Sequence, residues 1–438
     1  MAESRLAVKK IGLFSRRTGE RIRRALTSPN NRFILYLSVL GPGIIAANAG
    51  NDASGIATYS SVGAAYGYTL LWAFIPMTVS LIVVQEMCVR MGVVTGQGLS
   101  DLIRERFGVR WTALVMLSLL IANTGVIISE FVGIAQASEL FGIPRFLTVP
   151  LTAAIIWWLV VKGTQKRVER VFLAMSLVFF CYIVSAFLAK PDWSEVGREF
   201  ITPSIKYDST YLFMVMALIG TTITPFMQVY VQSTIVEKGM DKDELPLART
   251  DVIVGTIFAC MIAAFIVIST AATLNKQGVF EIDSAATAAE ALAPVAGVYA
   301  KYLFGIGLFG AAMLAMGVLP LATAYSLSEA LGFEKGLSHS FREAPIFLGI
   351  FTSLIVVGVL VALIPNIPQI QLLILTQSIN GLLLPVLLVA IVSLSSNREI
   401  MGEYANPTWF KIVAWLITAI VSFLSLALIA ATVKDAFF

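Results

Sequence analysis

Asn48-Ala-Gly-Asn-Asp-Ala-Ser-Gly55 stands in the middle of a long apolar run, and its reading decides the fold. Ile44-Ile-Ala-Ala47 precedes it and Ile56-Ala-Thr-Tyr59 follows, both suited to a helix in hydrocarbon. Inside it, glycines loosen the helix, and Asn48, Asn51, Asp52 and Ser54 need polar partners that lipid cannot supply. Irregular backbone at membrane depth survives only where protein or a cavity satisfies it. Asp52 sharpens the point, because a carboxylate at the bilayer centre costs about 3 kcal/mol or more and marks a functional site by default. A structural ion pair would be the bland alternative. No Lys or Arg lies deep in any apolar run to make one.

A second run is interrupted in the same way, at Thr221-Thr-Ile-Thr-Pro-Phe-Met-Gln228. Pro225 removes a backbone donor and the threonines and Gln228 are polar at mid-membrane. Two broken helices in corresponding positions, about five spans apart, are the signature of two inverted five-helix repeats whose unwound segments meet at a central substrate site. A kinked helix packed through small residues would explain either break alone, and explains the matching pair poorly.

The rest of the chain agrees. Hydrophobic residues make up 58% and charged residues 13%. A soluble domain carries about 25% charged residues, so soluble and secreted classes are set aside. About eleven apolar runs are long enough to cross a ~30 Å core. They lie near Phe33–Tyr59, Tyr68–Cys88, Trp111–Leu140, Phe146–Val161 and Val171–Ala189 in the first half. In the second they lie near Ser209–Val236, Val252–Leu274, Val295–Leu331, Pro345–Ile364, Ile370–Leu394 and Phe410–Val433. This divides the chain into a basic segment (1–32), a first five-helix repeat (33–189), a second, inverted one (209–394) and an eleventh helix (410–433).

Lys and Arg collect in the first thirty or so residues, in the 90–110 link, and in the Lys162–Arg170 and Lys238–Arg249 links. These are alternate connections, so the N-terminus is expected in the cytoplasm and, with an odd span count, the C-terminus outside, in a cell (inner) membrane. The basic N-terminal segment is followed by a full-length span, which argues against a cleaved signal peptide. Cys88, Cys181 and Cys260 are scattered through apolar runs without metal-site spacing, and the single histidine, His339, is in a polar connection. No nucleophile–base pair or phosphate-binding loop stands out, so the chain reads as a carrier, with no enzyme activity and no cofactor. Gly41-Pro-Gly43 is in a membrane helix and lacks the strand–turn–helix context of a dinucleotide site.

The candidate site is built from oxygen. Asp52 supplies the charge, and Asn48 and Asn51 flank it. Thr224 and Gln228 bracket Pro225, and Gln377 and Asn380 share a face of the tenth span, three residues apart. Such hard donors with a single charge suit Mg²⁺ or Mn²⁺ retaining part of its water. Met227 is the one soft atom near the break, where filling a gap between helices is at least as good a reading as ligation. Glu86 and Glu130 are the other acids read as intramembrane. Glu86 stands one turn from Arg90 and reads as half of a structural pair. Glu130, at mid-span, is divided evenly between function and a satisfied polar network.

Several motifs together resemble the Nramp family of divalent-metal transporters. They are Gly41-Pro-Gly43 with Asp52 nine residues on, Gly92-Val-Val-Thr-Gly-Gln-Gly-Leu99, Ser129-Glu-Phe-Val-Gly133 and Gly220-Thr-Thr-Ile-Thr-Pro225. The resemblance, which extends over nearly the whole chain, implies an eleven-span, all-α LeuT-like fold with a metal site shared by spans one and six. The departures carry information too. The family's Asp-Pro-Gly-Asn is Asp52-Ala-Ser-Gly55 here, its Met-Pro-His is Thr224-Pro225-Phe226, and Ile127 replaces an acid one turn before Glu130. Loss of the thioether relaxes discrimination against Mg²⁺ and Ca²⁺, and loss of the histidine and the acid removes titratable groups. The pattern is similar to the divergent bacterial Nramp-related magnesium transporters. The expected cargo is therefore a divalent ion, Mg²⁺ with Mn²⁺ also admitted, carried without protons. A proton-coupled Mn²⁺ carrier, or an amino-acid carrier on the same fold, is the alternative. The bilayer is the only other partner expected, with no nucleic acid and no obligate protein.

Overall fold

The computed structural model describes residues 42–162, 180–206, 208–290, 297, 300–334, 342–365 and 367–437. The basic segment 1–32, the opening of the first span with Gly41, most of the Lys162–Arg170 link, the 171–179 part of span five, the opening of span eight at Val295 and His339 lie outside them. The described residues are almost entirely helical and contain no strand.

The interrupted first span is α1 (Pro42–Asn48) and α2 (Ala53–Tyr66). Then come α3 (Phe74–Thr95), α4 (Leu99–Leu140), α5 (Arg145–Lys162), α6 (Phe180–Leu188) and a short amphipathic helix, α7 (Trp193–Ile201). The second interrupted span is α8 (Ser209–Thr222) and α9 (Pro225–Lys238). After it run α10 (Leu245–Thr273), α11 (Ala300–Leu331), α12 (Pro345–Ala362), α13 (Gln369–Ser395) and α14 (Thr408–Phe437). Among the described residues nine helical stretches are long and apolar enough to cross a membrane, and they coincide with spans two to four and six to eleven of the sequence reading. Spans one and five are described only in part.

One boundary moves. The link read over 90–110 shrinks to residues 96–98, because α3 continues through Arg90 and α4 starts at Leu99. The charged residues there extend the helices beyond the apolar runs. Gly108, at φ 74° and ψ 178°, marks where the extension turns into the span proper.

The broken helices are at the centre. Every residue of α2 from Ala53 to Ala64 is buried, as is every residue of α9 from Pro225 to Ile235. A helix buried on all sides needs no apolar stripe, which is why polar residues are interleaved there at no cost in pattern. α14 by contrast turns Leu416 (58% exposed) and Phe423 (69%) outward, an apolar surface suited to lipid.

Helices in lipid associate by close packing, so small residues mark the tightest crossings. A Cβ on Gly220 in α8 would stand 1.9 Å from the Gln377 carbonyl oxygen and 2.5 Å from the Gly381 nitrogen in α13. Both obstacles are backbone, so neither can swing aside. Gly220→Ala is expected to cost about 1–3 kcal/mol, seen as a lower unfolding midpoint in detergent. An unchanged midpoint would mean that the crossing has slack.

Two buried acids beyond those read from the sequence hold helix starts in place. Asp251 on α10 accepts the Gly43 N–H at 2.7 Å and the Ile44 N–H at 3.4 Å, fixing the start of α1. Glu329 on α11 accepts the Ser100 N–H at 3.2 Å and the Ser233 hydroxyl at 2.7 Å, joining α4 to α9. Each satisfies amide donors that a helix cannot satisfy internally, and each stabilises the positive end of a helix dipole. Glu86 has the structural role read for it, pairing with Arg90 at 3.0 Å and Arg249 at 2.8 Å.

Candidate metal centre

Both breaks fall where the sequence places them. α1 ends at Asn48 and α2 resumes at Ala53, with Asp52 as its N-cap in extended backbone. α8 ends at Thr222, and Thr224 is the N-cap of α9 with Pro225 in the first turn. Proline there costs nothing, since its missing N–H would be unpaired anyway. Gly50 lets the two breaks abut: a Cβ on it would stand 1.9 Å from the Met227 terminal methyl and 3.1 Å from the Thr221 carbonyl. The Thr221 hydroxyl donates to the Gly50 carbonyl at 3.3 Å, a tie that the sequence reading missed although it quoted Thr221.

The carboxylate of Asp52 is fully buried. Its Oδ1 accepts the Gly55 N–H at 2.6 Å, and Gln377 Nε2 on α13 is 3.4 and 3.5 Å from its two oxygens. Glu130 on α4 faces the same helix start. It accepts the Ala53 N–H at 2.9 Å, the Ser54 N–H at 3.1 Å and the Ser54 hydroxyl at 2.5 Å. Ser129 Oγ is 2.8 Å from Ser54 Oγ and receives the Thr376 hydroxyl at 3.2 Å. Two acids thus converge on one helix N-terminus, and neither has an ion-pair partner among the described residues. The polar network is the half of the Glu130 reading that the geometry displays.

The amides are turned in a consistent sense. Asn48 donates Nδ2 to the Ile44 carbonyl at 2.9 Å, Gln228 donates Nε2 to the Thr224 carbonyl at 3.4 Å, and Asn380 donates Nδ2 to Gln377 Oε1 at 2.9 Å. In all three the nitrogen is used, and the buried side-chain oxygen meets no donor among the described residues. Buried polar atoms are seldom left so. Oxygens left open in this way are available to a cation, which asks for acceptors only; Asn123 and Gln232, elsewhere in the bundle, are turned the same way.

The other candidates differ. Gln377, read as an oxygen donor, presents its nitrogen to Asp52 in this conformation, because Asn380 occupies its oxygen. Asn51 donates Nδ2 to the Ala259 carbonyl at 3.1 Å and lines a small cavity with Thr221, Thr222, Tyr59 and Cys260. Met227 sets its methyl on Gly50, so it is placed as filling between the breaks. The Thr224 hydroxyl turns back to the Thr221 carbonyl at 2.9 Å, and the Thr224 carbonyl takes the Gln228 amide. The described residues contain no cluster of three or more His, Cys, Asp or Glu, so a transition-metal cage of that kind is absent among them.

Comparison with known proteins agrees with this architecture. The model of the Nramp family (natural resistance-associated macrophage protein-like) matches residues 43–431. A divalent metal cation transporter, MntH, of Agrobacterium fabrum is 29% identical over 411 residues, covering 90% of this chain and 87% of its own. A manganese transporter of Eremococcus coleocola superposes with a TM-score of 0.72 at 18% identity, over 93% of this chain and 88% of that one. MhsT, in complex with L-phenylalanine, superposes with a TM-score of 0.53 at 16% identity, over 89% of this chain and 98% of that one. The likeness places the chain in the LeuT-like fold, two inverted five-helix repeats with broken first and sixth helices. A family match over almost the whole length, on a fold whose two breaks abut at Gly50 beside the buried Asp52, leaves one assignment: this chain is a multi-pass membrane transporter and belongs to the Nramp family.

Proposed function

We propose that the chain is an alternating-access carrier of divalent cations, taking Mg²⁺ readily and Mn²⁺ as well, without moving protons. The observation that carries this is the buried Asp52 carboxylate in the first break, with open amide oxygens on Asn48 beside that break, on Gln228 beside the second, and on Asn380 next to Gln377. Divalent metal transport is also what the name of the Agrobacterium relative states of that protein. Mg²⁺ prefers oxygen donors and gives up its water reluctantly, so it enters such a site with several waters still bound. Softer ions gain from a thioether, and the sixth-span break offers threonine and phenylalanine at 224 and 226 instead.

In the cell membrane, with the N-terminus cytoplasmic and the C-terminus outside, the membrane potential supplies the driving force. It contributes about 2.3 kcal/mol per charge per 100 mV, twice that for a divalent ion. Asp52 binds the ion, Asn48, Gln228 and Asn380 complete the shell directly or through water, and Gln377 steadies the carboxylate. Asn51 and the Thr224 carbonyl become donors when the breaks shift between access states.

Proteoliposomes loaded with a fluorescent indicator should show uptake of both Mg²⁺ and Mn²⁺, with millimolar Mg²⁺ competing against Mn²⁺. Thr224→Met should move preference toward Mn²⁺ and Cd²⁺ by about tenfold, the effect of roughly 1.4 kcal/mol from one added soft ligand. Failure of Mg²⁺ either to enter or to compete would leave a manganese carrier in its place.

A further inference from the structure

A cavity of about 570 Å³ opens on the outer face of the bundle between α3 and α10, roofed by the short helix α7. Its mouth is formed by Ile75 (50% exposed), Val79 (48%) and Ile257 (51%), and its floor by the buried Phe74 and Cys260. The Thr78 hydroxyl donates to the Phe74 carbonyl at 2.6 Å and asks for nothing from an occupant. Both walls are membrane spans, so among the described residues the mouth faces hydrocarbon. The wall from Ile257 to Ile268 rises about 16 Å at 1.5 Å per residue, about one leaflet of a ~30 Å core. Trp193 of α7 is at the outer end, where a headgroup belongs.

The floor faces the ion site. Cys260 also lines the small cavity that contains Gly50, Asn51, Thr221 and Thr222. Phe74 packs against Tyr59 with ring centres 6.0 Å apart, and the Tyr59 hydroxyl is 3.3 Å from the Thr222 hydroxyl at the sixth-span break. One layer of side chains therefore separates the apolar cavity from both helix breaks.

We propose that this cavity binds one acyl chain of a bilayer phospholipid, and that the chain braces the Phe74–Cys260 wall against which the two breaks move. A tail arriving from the bilayer leaves no water behind, so its gain comes from packing, and it exchanges with bulk lipid. Occupancy then sets the turnover of the carrier and leaves the ion ligands untouched. The proposal needs only a moving pair of breaks and holds whichever ion is carried.

The test uses the full chain in liposomes containing a phosphatidylcholine with a photoreactive diazirine in its tail. After illumination, peptide mapping should show adducts concentrated on the 257–268 and 74–79 segments over the equally lipid-exposed 412–426 face of α14. Ala264→Trp, which fills the cavity, should remove that enrichment and change the Mn²⁺ uptake rate several-fold with no change in half-saturating Mn²⁺. Met261→Phe, a smaller filler, should do both to a lesser degree and guards against a folding failure of the first variant. Adducts spread evenly over all lipid-facing helices would overturn the site. Enriched adducts with unchanged uptake in both fillers would overturn the bracing, and so would a filler effect confined to half-saturation. Labelling by a free apolar diazirine but not by the lipid would assign the cavity to a small molecule and sink the proposal. The adduct map does not depend on transport, so its outcome is separate from that of the ion assignment.

Discussion

Asp52→Asn should abolish metal uptake while leaving a folded protein. Asparagine is as good an N-cap as aspartate, so the bond to the Gly55 N–H, 2.6 Å in the wild type, is kept. Side-chain volume hardly changes, and Gln377 retains an oxygen to meet. What is lost is the only charge that the first span carries. If the ion is bound through that charge, uptake falls by about 100-fold or more, equivalent to roughly 2.8 kcal/mol of ion stabilisation. Stability moves the other way. With no ion-pair partner for the carboxylate among the described residues, removing its charge relieves burial, and the apo protein should unfold at an equal or higher temperature. Metal should raise the midpoint of the wild type and leave that of Asp52→Asn unmoved. Uptake near the wild-type rate by a well-folded Asp52→Asn protein would displace Asp52 from the centre of the site.

The parts of this site that were legible in sequence share a cause. Asp52, Asn48, Gln228 and Pro225 each contradict the apolar run around them, and a membrane makes such contradictions expensive. The breaks could therefore be placed to within a residue or two. Partnership was not legible, because it is decided between residues far apart in the chain. Asp251 reaches the start of α1 across 208 positions, and Glu130 reaches the start of α2 across 77. Nothing in the local pattern around Asp251 points to Gly43. Gln377 shows the finer limit. It shares a face with Asn380, yet Asn380 takes its oxygen and turns its nitrogen toward Asp52. Thr221 was passed over because a threonine can satisfy itself within a helix, so it makes no local contradiction to notice. The apolar cavity beneath α7 had no signal at all. Its lining is ordinary membrane-helix sequence from two spans, and only the packed bundle shows that they leave a space.

The second large effect concerns Glu130, and it separates holding a helix from moving a proton. The carboxylate accepts the Ala53 and Ser54 N–H groups and the Ser54 hydroxyl, all buried at the start of α2. Glu130→Ala strands two amide donors at about 1–3 kcal/mol each, so a loss of roughly 2–6 kcal/mol is expected, read as a much lower unfolding midpoint and little uptake. Glu130→Gln keeps one oxygen to accept and turns an NH₂ toward the other donors, so it should fall between the wild type and Glu130→Ala in both measures. A proton relay predicts a different pattern, since relays in membrane carriers link Asp, Glu and His groups that change protonation between access states. Span six has phenylalanine at 226, and Ile127 stands one turn before Glu130. With a pH-sensitive dye inside the liposomes and the potential clamped, metal uptake by the wild type should bring no acidification. The glutamine variant should slow uptake and leave the proton trace flat. A metal-dependent proton influx through the wild type that Glu130→Gln removes would show Glu130 to be a proton carrier, and uncoupled transport would then be the wrong mechanism for this chain.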